Sequence, residues 1–124
     1  MSRYIPSSAT VLAAIQTAAE AIEVAVEAAI ATTPTVYNVT MTNLDIEYSQ
    51  ALPANTKILE FRCQDTGFAT RFAFETGKVA TPTAPYRTLG AGESKTLDNL
   101  NLTTKTLYFA CSTAGKVMEI ECWT

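Results

Sequence analysis

The chain contains no histidine among its 124 residues. Histidine is the commonest general base and the commonest metal ligand, so most familiar acid–base and metal-dependent mechanisms lack their usual residue here. Neither a GxSxG nucleophile motif nor a GxxxxGK[ST] phosphate loop occurs. Glu60, Glu119 and Glu121 are candidate carboxylates, but their strand pattern predicts solvated faces and no cleft. The sequence predicts a protein that is not an enzyme, with no catalytic residue, cofactor or metal.

Cysteine is also scarce. Cys63, Cys111 and Cys122 include no CxxC pair, and an odd number of widely spaced cysteines does not predict a disulfide framework. Each falls on the apolar side of an alternating segment. We therefore expect three buried, reduced thiols that pack as small hydrophobic residues, in a protein that matures in a reducing cytoplasm.

Charged residues make up only 17% of the chain, against about 25% in an average globular protein. The net charge of −3 argues against a nucleic-acid partner. No basic residue occurs between Arg3 and Lys57, so the first half of the chain is acidic. Such a composition is typical of a protein that works inside an assembly, and equally of an ordinary β domain of modest polarity.

The chain does contain one long, Ala-rich run over residues 11–31. A membrane span needs about 20 apolar residues with few charges, and this run contains Glu20, Glu23 and Glu27. The same glutamates do not fit the uncharged core of a signal peptide. We therefore predict neither a membrane span nor a secretion signal.

The composition of this run predicts a soluble helix. Ala, Gln and Glu are strong helix formers, and the serines of Pro6-Ser7-Ser8 can cap its start. Pro34 disfavours helical backbone at the residue before it, so Thr32 and Thr33 should end the helix. Residues 1–33 are thus expected to form an N-terminal helical domain for oligomerisation or anchoring.

Apolar residues of this helix recur in alternating steps of three and four, as in the seam of a coiled coil. Glu20, Glu23 and Glu27 lie on a separate face and are expected to form a charged rim. Two interpretations stay open: the helix packs on the sheet of its own chain, or it associates with other subunits. The predicted seam residues are Leu12, Ile15, Ala19, Ile22 and Val26.

From residue 34 onward the hydrophobic pattern changes to a period of two, which is typical of antiparallel sheets with one buried face. Turn residues such as Gly67, Gly77 and Gly115 separate the alternating segments. We predict an antiparallel β-sandwich over residues 34–124, after the helix. Its expected strands are 36–42, 57–64, 70–75, 106–111 and 117–123, with short edge strands at 86–89 and 94–97.

Three aromatic residues are candidates for a contact surface. Tyr86, Tyr108 and Trp123 would suit a platform for a sugar, which makes a carbohydrate-binding module the alternative function. An aromatic residue beside a chain terminus also suits a contact with a partner subunit.

Three stretches carry a resemblance to a known group of proteins. LPANTKILEFRCQ, RFAFETGKVATPTAPYRTLGAGES and TLYFACSTAGKVMEIECWT together resemble the small structural proteins of tailed-bacteriophage virions. In that group a short β-sandwich follows an N-terminal segment specific to the assembly. The resemblance covers residues 51–124 and excludes the acidic, Ala-rich helix.

This resemblance implies a virion component that decorates or stabilises the capsid, or is attached to the head or tail. It implies assembly in the host cytoplasm and contacts with other virion proteins, such as the major capsid protein. With the helix as the association element, we expect a homo-oligomer, with a trimer favoured, and neither a nucleic-acid nor a membrane partner.

Overall fold

The computed structural model describes residues 7–124, and of residues 27–29 it describes the helical backbone without the side chains. Within this part of the chain there are one α-helix and eight β-strands, which form two antiparallel four-stranded sheets. The predicted combination of an N-terminal helix and antiparallel sheets is confirmed. The chain divides into two compact units, residues 1–30 and 31–124. Arg3 and Pro6 lie outside the described residues.

The helix is longer than any of the strands that follow it. The elements are α1 (Ser8–Ala29), β1 (Pro34–Met41), β2 (Tyr48–Leu52), β3 (Ile58–Cys63), β4 (Thr70–Ala73), β5 (Arg87–Leu89), β6 (Ser94–Leu97), β7 (Lys105–Cys111) and β8 (Lys116–Trp123).

The strands pair in a nested order, from the two ends of the β unit inward. β1 pairs with β8, β2 with β7, β3 with β6 and β4 with β5, all antiparallel. Successive pairs alternate between the sheets, whose strand orders are β1-β8-β3-β6 and β2-β7-β4-β5. The two ends of the unit therefore meet. Thr33 donates its backbone N–H to Thr124 O at 3.0 Å, and Thr124 donates back to Thr33 O at 2.9 Å.

Both sheets contribute side chains to one hydrophobic core. Alternation along β3 buries Leu59, Phe61 and Cys63 and leaves the residues between them exposed. Phe61 of the first sheet meets Phe72 of the second edge to face, with ring centroids 4.8 Å apart. The other buried members are Met41, Leu52, Leu89, Leu107, Phe109, Cys111, Met118, Ile120 and Cys122.

The structure departs from the predicted pattern in two places. β2 has no counterpart among the predicted strands, because its sequence YSQAL has weak alternation and a single fully buried residue, Leu52. β4 ends at Ala73, so Phe74 lies beyond the strand and is 40% exposed, although its ring still contacts Phe72 at 6.4 Å. The predicted turns at Gly77 and Gly115 both have a positive φ, 80° and 78°, which glycine adopts at little cost.

One hydroxyl inside the core has no partner. Thr70 is 1% exposed, and its Oγ1 makes no hydrogen bond among the described residues. An unpaired buried hydroxyl costs about 1–3 kcal/mol. We expect Thr70→Val, which keeps the shape and removes the polar atom, to raise the free energy of unfolding by about 1 kcal/mol in urea titrations.

Thr56 is the matched control because it is equally buried but paired. Its Oγ1 donates to Pro53 O at 2.6 Å. Thr56→Val should lower the free energy of unfolding by about 1–2 kcal/mol. If both substitutions changed the free energy of unfolding in the same direction, the hydrogen bonding of the two hydroxyls would not explain their effects on stability.

Candidate functional site

The sequence of α1 explains where the helix starts and stops. Ser7 caps the start, since its Oγ accepts the backbone N–H of Thr10 at 3.2 Å. Ile30 donates the last helical hydrogen bond, to Val26 O at 3.2 Å, and Thr32 instead donates to Thr124 O at 2.8 Å. The helix of 22 residues is therefore about 33 Å long, and it ends at Ala29, before the predicted stop at Thr32 and Thr33.

The predicted seam is exposed along its whole length. Leu12, Ile15, Ile22 and Val26 are between 52% and 65% exposed, and Ala19 between them is exposed as well. Every side chain described between Ser8 and Val26 belongs to the exposed class. Helices in proteins gain most of their stability from packing an apolar face. Within its own unit, the seam is thus an apolar stripe that no other side chain covers.

The charged rim is only partly described. Glu20 and Glu23 are exposed, while the side chain of Glu27 lies outside the described residues. By length and composition, Ser8–Val26 is apolar enough to cross a membrane, with a mean hydropathy of 1.5. That is weak evidence for a span, since core helices and signal sequences share these properties. Glu20 and Glu23 within this window would each be costly in a bilayer.

The three candidate aromatic residues do not share one sheet. Tyr108 is on β7 of the second sheet, partly buried against Ala73 and Val79. Trp123 is on β8 of the first sheet, and its Nε1 donates to Glu121 Oε1 at 2.9 Å. Tyr86 precedes the edge strand β5 and is 38% exposed. The structure therefore does not assemble Tyr108 and Trp123 into one platform.

Three carboxylates meet on the first sheet. Glu60 of β3 lies opposite Glu121 of β8 in the strand register, and Glu119 lies opposite Arg62. All of them line a shallow depression of about 190 Å³. Arg62 Nε contacts Glu119 Oε1 at 3.1 Å. Arg62 pairs with Glu119 and Trp123 donates to Glu121, so two of the three carboxylates already have partners within the sheet.

The predicted burial of the cysteines is confirmed, and all three are free thiols. Burial raises the pKa of the Cys63 and Cys122 thiols above the ordinary value. A raised pKa lowers the thiolate fraction, and the thiolate is the nucleophile and the metal ligand. These thiols therefore serve packing.

Asp65, one of the acidic residues in the turns, is committed to a local contact. Its Oδ2 accepts from Lys116 Nζ at 2.8 Å, which holds the pKa of the Asp65 carboxyl below its usual value. The same ammonium lies 3.9 Å from the centre of the Phe68 ring. Among the side chains that the structure describes, no cluster of three or more Cys, Asp or Glu has the arrangement of a metal site.

Comparisons with known proteins add no functional relative. No protein-family model matches the chain, and no curated protein does. Among solved structures, a de novo designed double-stranded β-helix solved by solution NMR is similar over 75% of this chain and 100% of its own. The identity is 16% and the TM-score 0.44.

Proposed function

We propose that this chain is a non-enzymatic structural subunit of a bacteriophage particle. In this proposal its N-terminal helix holds equivalent copies together, with a trimer favoured. Its β unit decorates or stabilises the capsid, or is attached to the head or tail, through contacts with other virion proteins. The single observation that carries the proposal is the exposed apolar seam of α1, and the resemblance of residues 51–124 to small virion proteins supports the setting.

The seam supports association for a physical reason. Four large apolar side chains, Leu12, Ile15, Ile22 and Val26, stand more than half exposed on one stripe. Burial releases about 25 cal/mol for each Å² of apolar surface, and equivalent helices bury such stripes against one another in coiled coils. By helical spacing, Glu20 and Glu23 border the stripe, and the stripe itself contains no charged residue.

We further propose that the two sheets form a sandwich of the jelly-roll type. The nested pairing supports it, because a long hairpin wound on itself places successive strand pairs in alternate sheets. The contact between Phe61 and Phe72 supports face-to-face packing, since it joins the two sheets inside one core. Jelly rolls occur in viral capsid domains and in lectins, which agrees with a structural subunit without specifying one.

The test is the mass of the protein in solution. We expect Ile15→Glu combined with Ile22→Glu to leave the β unit folded, because both positions lie in the helix. The variant should shift a wild-type trimer towards the mass of one chain, since each copy would have to bury two carboxylates in the seam. Size-exclusion chromatography with multi-angle light scattering measures the mass, and circular dichroism monitors the strands.

Val24 supplies the matched control. It is 65% exposed, as Ile22 is, but it lies off the seam on the same helix. Val24→Glu should keep the wild-type mass while Ile22→Glu lowers it. A wild-type protein that runs as a single chain, or one that floats with lipid vesicles and stays monomeric in buffer, would contradict the proposed association.

A further inference from the structure

A hollow opens beside the end of β4 and the start of β5, at the edge of the second sheet. Its volume is about 250 Å³, below the range of about 300–1,000 Å³ that is typical of sites for drug-sized ligands. The side chains that line it are Phe72, Ala73, Phe74, Glu75, Pro85, Tyr86 and Arg87.

Two open aromatic side chains form its walls. Phe74 is 40% exposed and Tyr86 is 38% exposed. A single exposed aromatic residue is ordinary, but two that line the same hollow form an apolar patch with a defined shape. The Phe74 ring is positioned by its edge-to-face contact with Phe72, whose own ring is buried in the core.

Polar groups without partners surround these rings. The Glu75 carboxylate, the Arg87 guanidinium and the Tyr86 hydroxyl are open to solvent and make no hydrogen bond or ion pair with the part of the chain that the structure describes. Glu75 accepts hydrogen bonds, Arg87 donates them, and a hydroxyl does both. The two charges cancel, so the hollow suits a neutral ligand that carries both donors and acceptors.

The loop that carries the hollow is held at several points. The Glu47 carboxylate accepts hydrogen bonds from Thr76 Oγ1 and from Gly77 N–H, each at 2.8 Å. Arg71 donates to Val79 O at 2.7 Å and to Ala80 O at 3.4 Å. A ligand that binds a preformed site loses less affinity to the ordering of the protein.

From these observations we propose that the hollow binds one ring of a neutral glycan. A sugar ring has a face of polarised C–H groups, which suits the electron-rich faces of Phe74 and Tyr86, and a rim of hydroxyls, which suits Glu75 and Arg87. A folded protein partner is a poorer match, since a standard interface covers about 800 Å² on each partner. This inference does not depend on the association of the helix.

The experiment begins with the full-length protein on an array of neutral, sialylated and sulfated glycans. We expect neutral glycans to bind, and calorimetric titration of the bound ones to show at least a tenfold loss of affinity in Tyr86→Ala and in Phe74→Ala. Tyr86→Phe keeps the ring and should lose less. Trp123→Phe changes an aromatic residue on the other sheet and should bind as the wild type does.

Three outcomes would overturn the proposal. They are no binding of any neutral glycan in titrations to millimolar concentration, binding of acidic glycans alone, and an equal loss of affinity in Trp123→Phe. Binding of proline-rich or aromatic peptides instead of glycans would assign the hollow to a protein partner. Glycan binding should persist in the Ile15→Glu, Ile22→Glu variant, which separates this test from that of the proposed association.

Discussion

Phe61→Ala should lower the free energy of unfolding by about 3–5 kcal/mol, the range for removal of a buried phenylalanine. Phe61 is 1% exposed, lies on the inner strand β3 and meets Phe72 of the other sheet. Truncation therefore leaves a cavity between the sheets that strands on both sides hold open. The total free energy of unfolding of a small domain is about 5–15 kcal/mol, so Phe61→Ala would remove much of it.

Urea titration measures the free energy of unfolding. Trp123, the single tryptophan, lies on the adjacent strand β8, and its fluorescence follows the transition. Phe74→Ala is the control, because it removes the same side chain from a position that is 40% exposed. It should cost under about 1 kcal/mol, while Phe61→Leu should cost less than about 1.5 kcal/mol. Equal losses in Phe61→Ala and Phe74→Ala would mean that the sheets do not pack through Phe61.

The strands with strong alternation could be predicted from the sequence because their apolar residues alone indicate which face is buried. β3 and β8 place every second residue in the core, so Phe61 and Ile120 are identified without knowledge of any partner. β2 could not be predicted in this way. It is an edge strand with one fully buried side chain, and its position depends on pairing with β7.

The nested order of the strands depends on contacts that no local pattern contains. Pro34 pairs with Trp123, which is 89 residues further along the chain. Alternation shows which side of a strand is buried but does not identify its neighbour, because every apolar face can pack against several others. The inner faces of the strands were therefore accessible from the sequence, and the sheet topology was not.

The hollow was missed for a related reason. Alternation in the RFAF segment assigns Phe74 to the same side as Phe72, but the strand ends at Ala73 and the chain then turns into a loop. Phe74 and Tyr86 meet the same cavity only because β4 pairs with β5. The usable signal was the length of the segment between these strands, which is rich in Thr and Pro and ends in Pro85-Tyr86.

The second large effect is expected at Arg71. Its side chain is 16% exposed, and it donates to Val79 O and to Asp45 Oδ1, both at 2.7 Å. It thereby joins β4 to the loop after that strand and to the segment between β1 and β2. Hydrogen bonds that involve a charged group contribute about 1.5–3 kcal/mol, so Arg71→Met should lower the free energy of unfolding by about 2–3 kcal/mol.

Arg62 is the matched control for Arg71, since it also pairs with a carboxylate but is 58% exposed. Arg62→Met should cost under about 1 kcal/mol, because exposed ion pairs contribute little. Arg71→Lys keeps the charge but lacks the planar fork that reaches Val79 O and Asp45 together, so it should recover only part of the loss. Full recovery by lysine would mean that charge alone, and not the geometry of the guanidinium, holds the loop beside the hollow. Hydrogen exchange at Val79 and Ala80 tests whether the loop itself loosens, since it should accelerate in Arg71→Met and stay unchanged in Arg62→Met.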